Sequence, residues 1–289
     1  MIKRSYFYSL LNKINLFSFR NHNLRVLAYH TVHEPEKFET QLKYLIEKFN
    51  IISFPDLHDH LFNNKNLPPK PLLITFDDGD ISVLQNGLPI LKKYKLPSIL
   101  FVITQLIDSN NLFWCRQVEA VYKKQGKSYY GARQKIKSLK KSLNSDRLKY
   151  LDSLELVEGP QLTSAELQIL QKESMFIGNH THTHPMINNC TKEEIEQEMG
   201  EVKSLFEKLN FKGYPVFAYP NGNWDTKSEK ILRKNGIQLA FLFDHQINKE
   251  SINPMRISRI TVDSDSDFNE FKVKVSGLHS KILSLKNSI

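Results

Sequence analysis

The sequence predicts an α/β fold, a parallel sheet covered by helices as a layer or a barrel. Two observations carry this. Short, continuous apolar runs recur along the chain, and the segments between them place apolar residues at helical spacing. Four of the runs lead directly into polar residues: Arg25-Val26-Leu27-Ala28-Tyr29 into His30, Leu72 to Phe76 into Asp77, Met175 to Asn179 into His180, and Val216 to Tyr219 into Pro220-Asn221-Gly222. Active sites of α/β barrels gather at the C-terminal ends of the strands, which is where these polar residues fall.

Each element has its own signal. Continuous apolar runs read as strands buried on both faces, and further runs at 98–104 and 239–243 extend the sheet. Between the first two strands, Phe38, Leu42, Leu45, Ile46 and Phe49 predict a helix within 35–50. Thr163 to Glu166 forms a capping box ahead of the Met175 strand. A second box, Thr191-Lys192-Glu193-Glu194, opens a helix whose stripe is Ile195, Met199, Val202, Leu205 and Leu209. A last short helix over 228–234 stops at Asn235-Gly236. The segment 105–161 interrupts the alternation, and 123–150 within it is helical and polar in character.

Two islands carry the chemistry. Asp77-Asp78-Gly79 ends one strand, and His180-Thr181-His182-Thr183-His184 follows another. An Asp-Asp-Gly alone reads as a turn, and a histidine-rich loop alone as a solvated surface. Together they have the composition of a catalytic metal site: imidazoles and one carboxylate as ligands, one coordination position left for water, and a spare carboxylate to take a proton. Spacing does not decide between two and three histidine ligands, nor between Asp77 and Asp78 as the ligand.

At these residues the chain resembles the polysaccharide deacetylases, the NodB-like carbohydrate esterases, from about residue 25 to about residue 277. Thr75-Phe76-Asp77-Asp78-Gly79 is similar to the family's Thr-Phe-Asp-Asp-Gly motif, and His180 to His184 to its His-Ser/Thr-x-x-His motif. The resemblance implies a distorted (β/α) barrel of the NodB-homology type with a basic helical insert at about 106–161. It makes Asp77 the general base, Asp78, His180 and His184 the metal ligands, and Thr181 a supporting residue, and it demotes His182. One divalent ion is implied, zinc first, with cobalt, nickel or manganese as alternatives. Where the family often has Arg-x-Pro-Tyr, this chain reads Ala218-Tyr219-Pro220-Asn221-Gly222, so the arginine that orients the base is missing. A backbone N–H at Asn221 could still hold an oxyanion. Ile257-Ser258-Arg259-Ile260 is similar to a Leu-Pro-Arg-Ile stretch of one family branch, which nominates Arg259 for the missing charge, with Arg256 as rival. Tyr29-His30-Thr31-Val32 resembles the N-terminal phrase of the circularly permuted branch, which makes His30 the general acid ahead of His279. The implied activity is removal of N-acetyl groups from amino sugars of a bacterial surface glycan or its precursor. The alternatives are a metal-dependent amidohydrolase of a non-glycan amide and a catalytically degenerate glycan-binding module.

Charge is concentrated. The stretch 123–150 holds ten Lys or Arg against Asp146 alone, and the net charge of the 289-residue chain is +9. Such a run favours an anionic partner, although a solvated helix face has the same composition. An N-acetylated acidic glycan, a lipid-linked sugar, a nucleotide sugar or an anionic membrane surface each fit. Specific nucleic-acid binding is disfavoured, because no recognition fold is legible. Tyr219 and Trp114 are candidate sugar contacts. Residues 1–24 form a basic and amphipathic segment, with an apolar stretch too short for a secretory core, and 278–289 a tail. No apolar run reaches the length of a membrane span. With Cys115 and Cys190 in unrelated segments, a cytoplasmic setting is expected, peripheral to the inner membrane face if the leading segment binds lipid.

Overall fold

The computed structural model describes Tyr8 and residues 23–280; most of the leading amphipathic segment and the end of the tail lie outside the described residues. Its first strand, β1 (Arg25–Tyr29), is buried along its whole length. After it come α1 (Pro35–Lys48), the two-residue β2 (Asn50–Ile51) and α2 (Phe54–Phe62). The second long strand, β3 (Pro71–Phe76), continues through a π-helical turn at Val83–Gly87 into α3 (Leu88–Lys93) and then β4 (Ser98–Val102). Three helices follow with no strand between them, α4 (Trp114–Lys124), α5 (Tyr129–Leu139) and α6 (Asn144–Asp152), and the segments flanking the set meet in an isolated bridge of Asn111 with Glu158. The alternation resumes with α7 (Ser164–Lys172), β5 (Met175–Asn179), α8 (Lys192–Lys208), β6 (Gly213–Ala218), α9 (Thr226–Lys234) and β7 (Leu239–Phe241). Last come β8 (Ile260–Thr261) and α10 (Phe268–Ser276).

Every strand pairing is parallel, in the order β7-β6-β5-β4-β3-β1-β8, with β2 on β3. The two ends of this curled sheet are bridged by one segment. Ile257 pairs with Phe241 of β7, and three residues later Ile260 pairs with Leu27 of β1. Residues 257–260 therefore close the distorted barrel where a full strand is lacking, and they carry Arg259 into its interior, where that side chain is fully buried.

Local rules explain the elements. The capping boxes at Thr163/Glu166 and Thr191/Glu194 are formed as the sequence predicts, and Ser53/Asp56 and Asp225/Ser228 add two more. On α8, Ile195, Met199 and Val202 are buried, but Phe206 takes the core position expected for Leu205. On α1, Ile46 is 41% exposed while Phe38, Leu42 and Leu45 are fully buried, so the expected stripe is narrower by one residue. The predicted strand 239–243 ends at Phe241, and the short helices α2, α3 and α10 add to the elements the sequence predicts. Between β5 and β6 the register shifts at Gly178/Asn179, where the strands approach so closely that a Cβ on Gly213 would sit 1.8 Å from the Ile177 carbonyl oxygen. Only glycine fits there.

Candidate active site

The ends of β3 and β5 put the two polar islands side by side. One ligand atom from each of Asp78, His180 and His184 lies within 4.8 Å of the others, and these three form the group that could hold a metal ion among the described residues. His180 Nε2 is 3.4 Å and His184 Nε2 3.6 Å from Asp78 Oδ1, whereas Asp77 Oδ2 is 3.9 Å from His180 Nε2. The Nδ1–H of His180 faces the Ala218 carbonyl oxygen at 2.9 Å, an arrangement that turns the Nε2 lone pair toward Asp78. Asp78 Oδ1 is buried and has no hydrogen-bond partner, an expensive state for a carboxylate oxygen that a cation would relieve. Two imidazole nitrogens and one carboxylate oxygen, with a large cavity alongside, fit a catalytic divalent ion with an open position.

Asp77 is held differently. Both of its oxygens accept from Arg259, Oδ1 from one terminal nitrogen at 2.7 Å and Oδ2 from the other at 2.8 Å. Arg259 is itself fixed by Nε donating to the Leu242 carbonyl at 2.7 Å and by a contact to Thr75 Oγ1 at 3.2 Å. Burial would push the Asp77 carboxyl up, but the charges of Arg259 and then His180 outweigh it and hold the group below its ordinary value. Asp78 is likewise held low, because His180, His30 and His184 together overcome its burial. The two histidines diverge. His184 is driven well down by burial and by neighbouring His180, while His180 is raised as the two carboxylates prevail over its burial. The structure thus separates the adjacent aspartates physically, one saturated by a guanidinium and one with an orphaned oxygen beside two imidazoles.

The histidine loop is strained and braced. Asp78, Thr181, His184 and Asn221 all have φ between +55° and +71°, a region costing roughly 1–3 kcal/mol per non-glycine residue. Thr181 N donates to Asn179 Oδ1, and Thr181 Oγ1 donates to the His180 carbonyl and accepts from His184 N. Glu198 on α8 accepts from the N–H groups of His182 and Thr183 at 2.7 and 2.8 Å and from Thr183 Oγ1 at 2.6 Å. The insert adds two more braces. Arg147, buried on α6, donates to Thr183 Oγ1 at 3.0 Å, and Trp114 Nε1 donates to the His184 carbonyl at 3.1 Å. His182 faces away, its Nδ1 against Thr104 Oγ1.

Several other expectations find their places. His30 lines the same cavity, its ring edge-on to Phe243 at 5.5 Å. His279 does not line it and packs against His245. Arg256 is bound to Glu229 at 2.7 Å and stacked on Trp224, away from Asp77. Asn221 lines the cavity, and its side-chain oxygen accepts from Lys140 at 2.7 Å. Among the described residues its N–H bonds no backbone carbonyl, whereas Gly222 and Asn223 donate to Tyr219 and Pro220. Two expected sugar contacts are corrected. Tyr219 is fully buried, edge-on to Phe217 in the core beneath α8 and α9, and Trp114 is buried against the histidine loop; neither reaches the cavity wall.

Sequence reasoning missed Phe113, Phe243, Glu198 and Arg147. Phe113 packs edge-on to the His184 ring at 4.7 Å. Glu198 had a legible signal, since it lies three residues after Ile195 on the apolar stripe and a carboxylate there needs buried donors. Arg147 had none, being one cation in a basic run. If Trp114 acts by fixing His184, Trp114→Phe weakens metal affinity about 10- to 100-fold, the usual effect of removing an outer partner of a ligand, with little change in the far-UV spectrum. Titration with a metal-competing chelator dye measures this.

A parallel distorted barrel with two imidazoles, a free carboxylate oxygen and an arginine-held second carboxylate at its C-terminal rim defines a metal-dependent hydrolase. The family model described as polysaccharide deacetylase matches residues 64–240, more than half of the chain. The chain belongs to the polysaccharide deacetylase family. Among curated relatives it is similar to the poly-beta-1,6-N-acetyl-D-glucosamine N-deacetylase of Staphylococcus aureus, with 23% identity over 257 residues, 85% of this chain and 72% of that one. Its fold is similar to the Streptococcus pyogenes deacetylase PplD, solved with acetate, at a TM-score of 0.63 and 19% identity over 88% of this chain and 98% of that one. IcaB from Ammonifex degensii superposes at a TM-score of 0.62 with 20% identity, over 89% of this chain and 97% of that one.

Proposed function

We propose that this protein hydrolyses the N-acetyl group of an amino sugar in a bacterial surface glycan or its precursor. The observation that carries the reading is the pairing of Asp77 with the buried Arg259 directly beside the Asp78, His180 and His184 cluster, the two aspartates and two histidines lining one cavity. Asp78, His180 and His184 would hold a divalent ion, zinc being the first choice for an N₂O set. Such an ion supplies Lewis-acid polarisation of the acetyl carbonyl and acidifies water.

The remaining chemistry belongs to this chain's own residues. Asp77, kept ionised and oriented by Arg259, takes the proton of the attacking water. The Asn221 N–H donates to the oxygen of the tetrahedral carbon as charge develops there. His30, on the same cavity, donates a proton to the departing nitrogen, a step amide cleavage needs because an amide anion is a very poor leaving group. Thr181 holds the His184 backbone in its left-handed conformation. The thiols of Cys115 and Cys190 are buried and form no disulfide with each other, as fits a reducing, cytoplasmic setting. Among the described residues, no helix is long and apolar enough to cross a membrane.

The test is acetate release from a panel of N-acetylated polymer fragments, nucleotide sugars, lipid-linked sugars and non-glycan amides. Release from one or more acetamido sugars, lost on chelation, is the expected result. Release from the non-glycan amides alone would replace the substrate class, and no release at all with metal bound would favour a binding role.

A further inference from the structure

The cavity beside the metal cluster has a volume of about 1080 Å³ and two chemically different sides. One side carries His30, Asp77, Asp78, Asp80 and the two histidines His180 and His184. The other is built from the insert and presents Arg116, Lys123, Lys127, Arg133 and Lys140, with Glu119 as its only carboxylate. Glu119 is already engaged by two of them, Arg133 at 3.1 Å and Arg116 at 3.7 Å. Lys140 reaches a neutral acceptor, the Asn221 side chain, and Lys127 lies over the Tyr122 ring at 5.0 Å. Among the described residues, Lys123, Lys127 and Lys140 therefore face the cavity without a carboxylate partner. Other cations of the same basic run are neutralised or stacked elsewhere: Lys124 pairs with Glu155, and Lys135 lies on the Tyr150 ring. Lys137, Lys141 and Lys149 do not line the cavity, so only part of the run faces it, but Lys123, Lys127 and Lys140 share one concave wall, where fields of one sign are focused.

We propose that this wall binds a phosphate or pyrophosphate carried by the sugar whose acetamide is cleaved, so that the substrate is a sugar phosphate derivative rather than a neutral glycan; this rests on the deacetylase reading above. Lysine ammonium groups bind phosphate as compact point charges, and Arg133 and Arg116, which lie at 3.1 and 3.7 Å from Glu119, can add guanidinium contacts to the same anion. The excess of cations also exceeds what one carboxylate would balance. Tyr129 lies on the same wall, 68% exposed, as a face for the sugar ring or for the group beyond the phosphate. Such a phosphate could lead to a nucleoside or to a lipid, and the same lysines would serve either.

Two measurements decide this. In the first, calorimetric titration of the metal-loaded protein compares N-acetylglucosamine 1-phosphate with its neutral methyl glycoside. The expected result is at least tenfold tighter binding of the phosphate, weakened by added salt and reduced about tenfold in Lys123→Gln/Lys127→Gln. In the second, kcat/KM for acetate release is compared between a nucleoside diphosphate sugar, a polyprenyl diphosphate sugar and a neutral oligosaccharide of the same sugar. The ratio of phosphorylated to neutral substrate should fall about tenfold in the double variant, and whichever phosphorylated substrate is faster identifies the source. Equal binding of the two small sugars, or a phosphate preference that survives in the double variant, overturns the proposal. So does preference for a uronic-acid-bearing oligosaccharide over both diphosphates. Phosphate binding that is lost in the variant, without acetate release from any substrate, would uphold the wall and reject the deacetylase reading.

Discussion

Replacing Asp77 by Asn lowers kcat for acetate release by about 10²- to 10⁴-fold, the range expected when a positioned base is removed, and leaves metal content unchanged. The isosteric amide cannot take a proton from water. The proposed ligands are untouched, because Asp78 Oδ1, not Asp77, is the oxygen nearest to both histidines at 3.4 and 3.6 Å. Metal analysis and acetate assay on the same preparation check both halves of the statement. If the variant loses its metal, the roles of the two aspartates are exchanged. Some loss of stability accompanies the change, since Arg259 keeps its charge in a fully buried position without a counter-ion.

The second large effect falls on Arg259. In Arg259→Met the Asp77 carboxylate is left buried without its guanidinium, and breaking a buried pair by removing one partner typically costs about 3–5 kcal/mol. Arg259 also bonds the Leu242 carbonyl and touches Thr75, so it links the end of β7 to β3 across the barrel closure. Urea unfolding should show the loss, and activity should fall with it as the base loses its fixed orientation. The double variant Asp77→Asn/Arg259→Met should recover part of the stability, because no charge is then buried alone, while remaining inactive. A single variant within about 0.5 kcal/mol of the parent would mean that the pair does not hold this end of the barrel together.

Much of this was legible because the strands are short apolar runs that end in their functional residues: β3 in Asp77 and Asp78, and β5 in the histidine loop. Parallel burial on both faces writes itself into sequence as continuous hydrophobicity, and the site follows from the strand ends. What could not be read were the long-range contacts. Apart from the motif resemblance that nominates Arg259, nothing around it distinguishes it from Arg256, three residues away; the closing segment turns one inward to Asp77 and leaves the other on Glu229. Tyr219 was misplaced for a similar reason. It continues β6 by one residue, and the side of the sheet it faces depends on the packing of α8 and α9. The insert was recognised by its charge, yet its internal work, Trp114 and Arg147 against the histidine loop, depends on how three helices fold back onto β5.

The most direct test of the central claim is to titrate metal-free protein with zinc while following acetate release from an accepted acetamido sugar. Activity rising to a break at one equivalent per chain, with no rise in His180→Ala, is the predicted result. Full activity in thoroughly chelated protein, or an unchanged metal response in His180→Ala, would contradict the assignment of this site.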